Sequence, residues 1–263
     1  MGLYRWRESE QLICKDIFLN QNADEDQRFF ITDKEDIHHI ANVMRHQNGD
    51  KIIITFEDLK VYTCVIISIS DTEIEVELEE AQPNDTELPV EVTICSGLIK
   101  ADKYEWLLQK STELGASHFI AVQMDRSVVK LNQSKVDKKM VRWNKIVKEA
   151  AEQSYRLVIP TIEFVSNLKE VYVNIDKYDY VLVAYEDVAK EGEMSEFKRA
   201  LKQFGKGERV LIIFGPEGGL SPEEVELFKN NGYIVGLGHR ILRAETAPLY
   251  ALSAISYEKE LMG

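Results

Sequence analysis

Cysteine is scarce in this sequence: its 263 residues hold three, Cys14, Cys64 and Cys95, and no CxxC pair. Neither a disulfide framework nor a zinc ribbon is indicated, and a reducing, cytoplasmic setting is expected. Long apolar runs are missing as well. "VLIIF" (Val210–Phe214) has the length of a buried strand and falls far short of the roughly 18 residues that cross a bilayer. Met1–Asp26 lacks the continuous apolar stretch of a secretory leader. No membrane partner is expected. The five histidines form no HExxH, and His38 and His39 point to different faces of any helix, so no metal site is expected. No GxSxG elbow is present, no repeat of fixed period recurs, and no low-complexity tract stands out.

What is present is a change of rhythm near residue 85. From Arg28 the chain reads as a short apolar element "RFFI", a helix-like stretch around Glu35–Arg45, the turn "NGD", and three strand patterns, "KIIITF", "VYTCVIISIS" and "EIEVELEE". "AQPNDTELP" concentrates turn formers and is the linker candidate. Strand and helix patterns then alternate to the C-terminus, which predicts an α/β domain with a mostly parallel sheet. The expected division is an N-terminal extension over 1–26, a β-rich domain over 27–82, a linker over 83–89 and an α/β domain over 90–263.

The net charge of −13 conceals a local reversal: Arg126–Lys148 carries eight basic residues and one acidic residue. Two readings stand for that stretch, a solvated helix face or a surface for an anionic partner. The β-rich stretch 27–82 has five basic and twelve acidic residues, so any contact with an anionic partner there is expected to be local.

"VLIIFGPEGGLSPEEVELF" (Val210–Phe228) reads as strand, glycine turn and helix. Ser221 as N-cap, Pro222 at the first helical position and Glu224 three residues past the cap predict a capping box. That places Gly215–Leu220 at a strand end, where open α/β sheets bind ligands. The loop matches neither GxxxxGK[ST] nor GxGxxG, and Glu217 stands where a phosphate binder places lysine. A tight turn without a ligand is the alternative. A second loop, "GLGHRILRAETAPLYAL" (Gly236–Leu252), follows the next short strand, with Thr246 as a candidate cap and Pro248 in the first helical turn. Its arginines would pair with nearby glutamates or face a shared pocket.

"QKSTELGASHFIAVQMDRSVV", "RWNKIVKEAAEQSYR", "IP" at Ile159 and Pro160, "GPEGG" and "LGHRILRAETA" resemble, in order and spacing, the RsmE family of ribosomal RNA methyltransferases, of the SPOUT class. The resemblance covers about Gln27–Leu261. It implies an N-terminal PUA-like β-barrel, a C-terminal α/β methyltransferase domain with a deep trefoil knot, and a homodimer. It further implies transfer of methyl from S-adenosylmethionine to N3 of a uridine in 16S rRNA of the small ribosomal subunit. A non-catalytic RNA-binding or assembly protein that kept the fold is the alternative. The cofactor is a sulfonium cation without phosphate, which is compatible with Glu217. Two departures stand out: Ala244 where relatives carry threonine, and Leu220 where they carry phenylalanine.

On that resemblance the cofactor would contact Gly215, Pro216, Glu217, Gly218, Gly219, Leu237, Gly238, Ile241, Leu242, Arg243 and Thr246. Arg126 is the first candidate for stabilising charge on the uracil oxygens and Arg243 the second, with Glu217 or Glu152 as proton acceptor or orienting group. Each has a structural ion pair as its alternative. RNA is expected to meet Arg28, Arg45, Arg126, Lys130, Lys138, Lys139, Arg142 and Arg156, with a base stacking on Trp143.

Overall fold

The computed structural model describes residues 17–19, 21, 23, 27–83, 85–187 and 195–262. It divides into two compact units: the described residues up to Glu87 together with Ala151–Val158, and Leu88–Ala150 together with the described residues from Ile159 onward.

The first unit is a five-stranded sheet in the order β1-β3-β4-β5-β2, from β1 (Ile17–Leu19), β2 (Arg28–Ile31), β3 (Lys51–Phe56), β4 (Val61–Ile69) and β5 (Ile74–Gln82). β1 lies inside the stretch read above as an extension, and it pairs in parallel with β3, Ile17 opposite Ile54. The other pairings are antiparallel. The two-residue period puts Phe29, Ile31, Ile52, Ile54, Phe56, Ile66, Ile74 and Val76 into one core. α1 (Lys34–His38) starts on Asp33, whose carboxylate accepts from the backbone N–H groups of Glu35 and Asp36, and it continues as a π-helical turn over His39–Val43.

The second unit is a six-stranded sheet in the order β11-β9-β10-β6-β7-β8, every pair parallel. Its strands are β6 (Glu91–Gly97), β7 (His118–Val122), β8 (Thr161–Val165), β9 (Tyr180–Ala184), β10 (Arg209–Phe214) and β11 (Tyr233–Val235). The helices are α2 (Ala101–Glu113), α3 (Gln133–Gln153, whose last three residues belong to the first unit), α4 (Leu168–Tyr172), α5 (Ser195–Gln203), α6 (Pro222–Phe228) and α7 (Ala247–Ser256). Central strands buried on both faces read as unbroken apolar runs, and β10 shows it: Val210, Ile212 and Phe214 join one core, Leu211 and Ile213 the other. The first core packs against α2, α3, α5 and α7 residues such as Leu108, Trp143, Leu201 and Leu252. The second includes Leu168 and Val171 of α4 and Phe228 of α6. Residue 194, where the helix expected over "MSEFKRALKQFG" begins, lies outside the described residues.

Candidate functional site

All strands of a parallel sheet deliver their C-terminal ends to one edge, and the loops there form the natural ligand crevice. In the second unit the ends of β9, β10 and β11 and the start of α2 line an open cleft of about 390 Å³. From β10 come Gly215–Leu220, from the loop after β11 Leu237–Glu245, from the end of β9 Ala184, Tyr185 and Glu186, and from α2 Lys103.

The β10 loop is compact because its glycines leave room for backbone. A Cβ on Gly215 would lie 2.7 Å from both the Gly219 carbonyl carbon and the Leu220 nitrogen, distances that real side chains do not occupy. Gly219 takes φ +71° and donates its N–H to the Pro216 carbonyl at 2.9 Å. The loop ends in the capping box expected from sequence: Glu224 N–H donates to Ser221 Oγ at 3.2 Å, and Ser221 N–H to Glu224 Oε2 at 2.9 Å.

The turn after β7 is tied to this loop. Ser221 Oγ donates to Asp125 Oδ2 at 2.8 Å, and the Asp125 N–H donates to Glu224 Oε1 at 3.0 Å. Arg126 then reaches the loop itself, with Nη1 donating to the Gly218 carbonyl at 3.3 Å. A Cβ on Gly218 would come within 3.0 Å of the Arg126 Cβ, so the glycine also lets the turn sit close. Glu217 is exposed and accepts from the Lys100 N–H at the start of α2, 3.3 Å away.

The opposite wall presents Leu237, Ile241 and Leu242 with Gly238 at φ +102°. Ile241 is 72% exposed, an apolar surface facing open space. Lys103 Nζ meets Glu245 Oε1 at 2.8 Å. Burial opposes ionisation of Glu245, but Lys103, its own backbone N–H and Arg243 outweigh burial and hold the carboxyl below the ordinary value of 4.5. Beside them, the Asp187 carboxylate and then burial push the Tyr185 hydroxyl up.

The structure thus gathers every residue expected at the cofactor except Thr246. Thr246 does occupy the N-cap position of α7, but its side chain makes no capping hydrogen bond, because its backbone is already helical at φ −93° and ψ −32°. Glu152 needs a correction: it is only 4% exposed and does not line the cleft, so it has no access to a reacting nucleobase there. Lys103, Tyr185, Glu186, His239 and Glu245 were not singled out, whereas Arg240 does line the cleft, as one of the two readings of the loop's arginines expected. Tyr185 and Glu186 follow the last residue of a parallel strand, and that position was the available signal.

The RNA expectations divide similarly. Arg45, Arg126, Lys130 and Lys138 are exposed, and Arg45 holds φ +60°. Lys139 and Arg142 converge on Glu105 at 3.3 and 2.7 Å, and that pairing, the Arg142 hydrogen bond first, lowers the Glu105 carboxyl. Arg28 pairs with Glu75 and Glu77 at 3.0 and 3.2 Å. Arg156 is corrected: it is 2% exposed and its guanidinium is held by Glu87, which also accepts from the Leu157 N–H. Trp143 is corrected too, being 2% exposed and packed on Tyr104 with ring centroids 4.8 Å apart, where no base can stack.

Residues 86–256 match the RNA methyltransferase domain family and residues 31–79 the RNA methyltransferase PUA domain family. The chain is 48% identical over 243 residues to the ribosomal RNA small subunit methyltransferase E of Bacillus subtilis, covering 92% of this chain and 94% of that one. It is 29% identical to ribosomal RNA small subunit methyltransferase E 2 of Borreliella burgdorferi, covering 91% and 95%. The Neisseria gonorrhoeae ribosomal RNA small subunit methyltransferase E, solved bound to S-adenosylmethionine, superposes with a TM-score of 0.78 at 25% identity, covering 93% of this chain and 98% of that one. Both family models match, and the Bacillus subtilis relative aligns over more than nine-tenths of each chain at 48% identity, so this chain belongs to the ribosomal RNA small subunit methyltransferase E family.

Proposed function

We propose that the chain transfers the methyl group of S-adenosylmethionine to N3 of a uridine in 16S rRNA of the small ribosomal subunit. The observation that carries this is the cleft itself: a glycine turn closed to side chains, an acidic Glu217 in place of a phosphate-binding lysine, and an apolar wall of Leu237, Ile241 and Leu242 opposite. Flat apolar surface suits an adenine, close backbone suits a ribose, and a carboxylate tolerates a sulfonium. The Glu245 Oε2, buried without a hydrogen-bond partner among the described residues, leaves an acceptor for a ligand donor. The residues present therefore fit the cofactor, and a Neisseria relative is solved with it bound.

When bound, the cofactor supplies a methyl group activated by positive sulfur. The chain's own contribution is position and charge. Arg126 is held to the Gly218 carbonyl, which fixes its guanidinium beside the loop to meet negative charge developing on the uracil oxygens. Arg243, exposed on the facing loop, is the second cation for that task. Glu217, the exposed carboxylate of the β10 loop, takes the N3 proton. Exposed Arg45, Lys130, Lys138 and Arg142 are assigned to phosphates. We assign RNA binding to a PUA-like domain over 27–82, joined by 83–89 to the methyltransferase domain, whose C-terminal segment carries the knot implied by the resemblance. The working unit is assigned as a cytoplasmic homodimer, supported by exposed Tyr257, Leu261 and Met262.

The test is tritiated methyl transfer from S-adenosylmethionine to undermethylated small subunits, followed by nucleoside analysis. Label in 3-methyluridine is expected. Label in another nucleoside would refute the assigned base, and binding of RNA without any transfer would favour a non-catalytic assembly protein.

A further inference from the structure

Lys103 has no part in the chemistry assigned above, and Glu245 enters it only as an open acceptor whose ligand group was not named. They stand 142 positions apart in the chain, yet Lys103 Nζ donates to Glu245 Oε1 at 2.8 Å, and both line the cleft. Their side chains are 29% and 13% exposed. The second Glu245 oxygen, Oε2, is buried and has no hydrogen-bond partner among the described residues. A buried carboxylate oxygen without a donor is costly, so the geometry calls for a donor to arrive there. Lys103 is in the complementary situation. An ammonium carries three N–H donors, and the Glu245 contact uses one of them.

The cleft therefore holds an anion with an open acceptor beside a cation with spare donors, while the Glu217 carboxylate is turned to the Lys100 N–H. The ligand group matching that arrangement carries one ammonium and one carboxylate on a single carbon. We infer that the Lys103–Glu245 pair recognises a zwitterionic α-amino-acid group, Glu245 taking the ammonium and Lys103 the carboxylate. This rests on the S-adenosylmethionine reading, since that cofactor ends in such a group, and it makes the pair the determinant that separates the whole cofactor from 5′-thionucleosides lacking the amino-acid end. Charge-assisted contacts of this kind are the strong ones, and they lose little to solvent in a partly enclosed site.

The experiment is calorimetric titration of S-adenosylhomocysteine and 5′-methylthioadenosine into wild type, Glu245→Gln, Lys103→Met and Lys103→Arg, with folding of each verified by thermal melting. Wild type should prefer S-adenosylhomocysteine by at least tenfold. Glu245→Gln and Lys103→Met should each shrink that preference at least fivefold with methylthioadenosine affinity unchanged, and Lys103→Arg should restore most of it. Because the readout is a ratio within one folded protein, a variant that fails to fold is replaced by the other without loss of the test. Equal weakening of both ligands would show that the pair merely braces the loop and would overturn the inference, as would an unchanged ratio. If wild type binds neither nucleoside, the cofactor reading and this inference fall together. If it binds both and the ratio persists in the variants, only the inference falls.

Discussion

Replacing Gly215 by alanine asks whether the β10 turn is as closed as its geometry implies. The new methyl would sit 2.7 Å from two backbone atoms, the Gly219 carbonyl carbon and the Leu220 nitrogen, and 3.0 Å from the Gly219 Cα. No flexible side-chain end is among these neighbours, so relief requires opening the turn by roughly 0.8 Å to reach ordinary carbon contact near 3.5 Å. Overpacking of this kind costs ~1–3 kcal/mol, and loss of the Gly219 N–H to Pro216 carbonyl bond adds ~0.5–1.5 kcal/mol. The expected total is ~1.5–4.5 kcal/mol of stability in urea titration. Because the displaced atoms line the cleft, S-adenosylhomocysteine affinity should also fall at least tenfold by calorimetry, about 1.4 kcal/mol. Gly49→Ala is the control: it has φ +93° but nothing within 4 Å, so it should cost ~1 kcal/mol from backbone strain alone and leave ligand affinity untouched. A Gly215→Ala protein within 0.5 kcal/mol of wild type and with unchanged affinity would refute both the closed turn and its place in the ligand site.

Arg126→Ala should lower single-turnover methyl transfer by ~100-fold with cofactor affinity unchanged, and rates at the wild-type level would remove its assigned role. Charge reversal at Lys138, Lys139 and Arg142 should weaken RNA binding and flatten its dependence on log salt by about two units, read by filter binding at several salt concentrations; an unchanged slope would place the RNA elsewhere. Glu105→Gln probes the pair it forms with Arg142 and Lys139. Since the folded carboxyl lies below the ordinary 4.5, its stabilisation is fully present above that value and is lost as pH falls through the lowered one, so the wild-type advantage in melting temperature should hold at pH 7 and vanish in strong acid.

The sequence disclosed whatever rested on short-range rules. β10 was legible because five consecutive apolar residues leave no polar face, and α6 because Ser221, Pro222 and Glu224 are each chosen by a different requirement of a helix start. β8 was not, since "TIEFV" at a sheet edge is only half-buried and lacks a strong apolar run. Trp143 was misjudged for a related reason: lysines and arginines crowd around it in sequence, but the helical period turns it to the opposite side, onto Tyr104. Arg156 shows the limit of reading charge as exposure, because its partner Glu87 is 69 residues away and invisible to any local pattern. The cleft was half legible: both glycine loops announced themselves, whereas Lys103 and Glu245 are ordinary residues in ordinary helical and loop contexts until the fold places them together.

Glu224 is a helix-cap residue that uses both oxygens, one on the Ser221 N–H and one on the Asp125 N–H. A capping carboxylate normally serves its own helix, but here it registers two loops from different strands against a single rigid group. Thermal motion of the β10 loop must therefore carry the Arg126 turn along with it. The spacing between Arg126 and the β10 loop is thus insulated from loop fluctuation without either loop being stiff, much as two instruments bolted to one plate stay aligned on a moving bench.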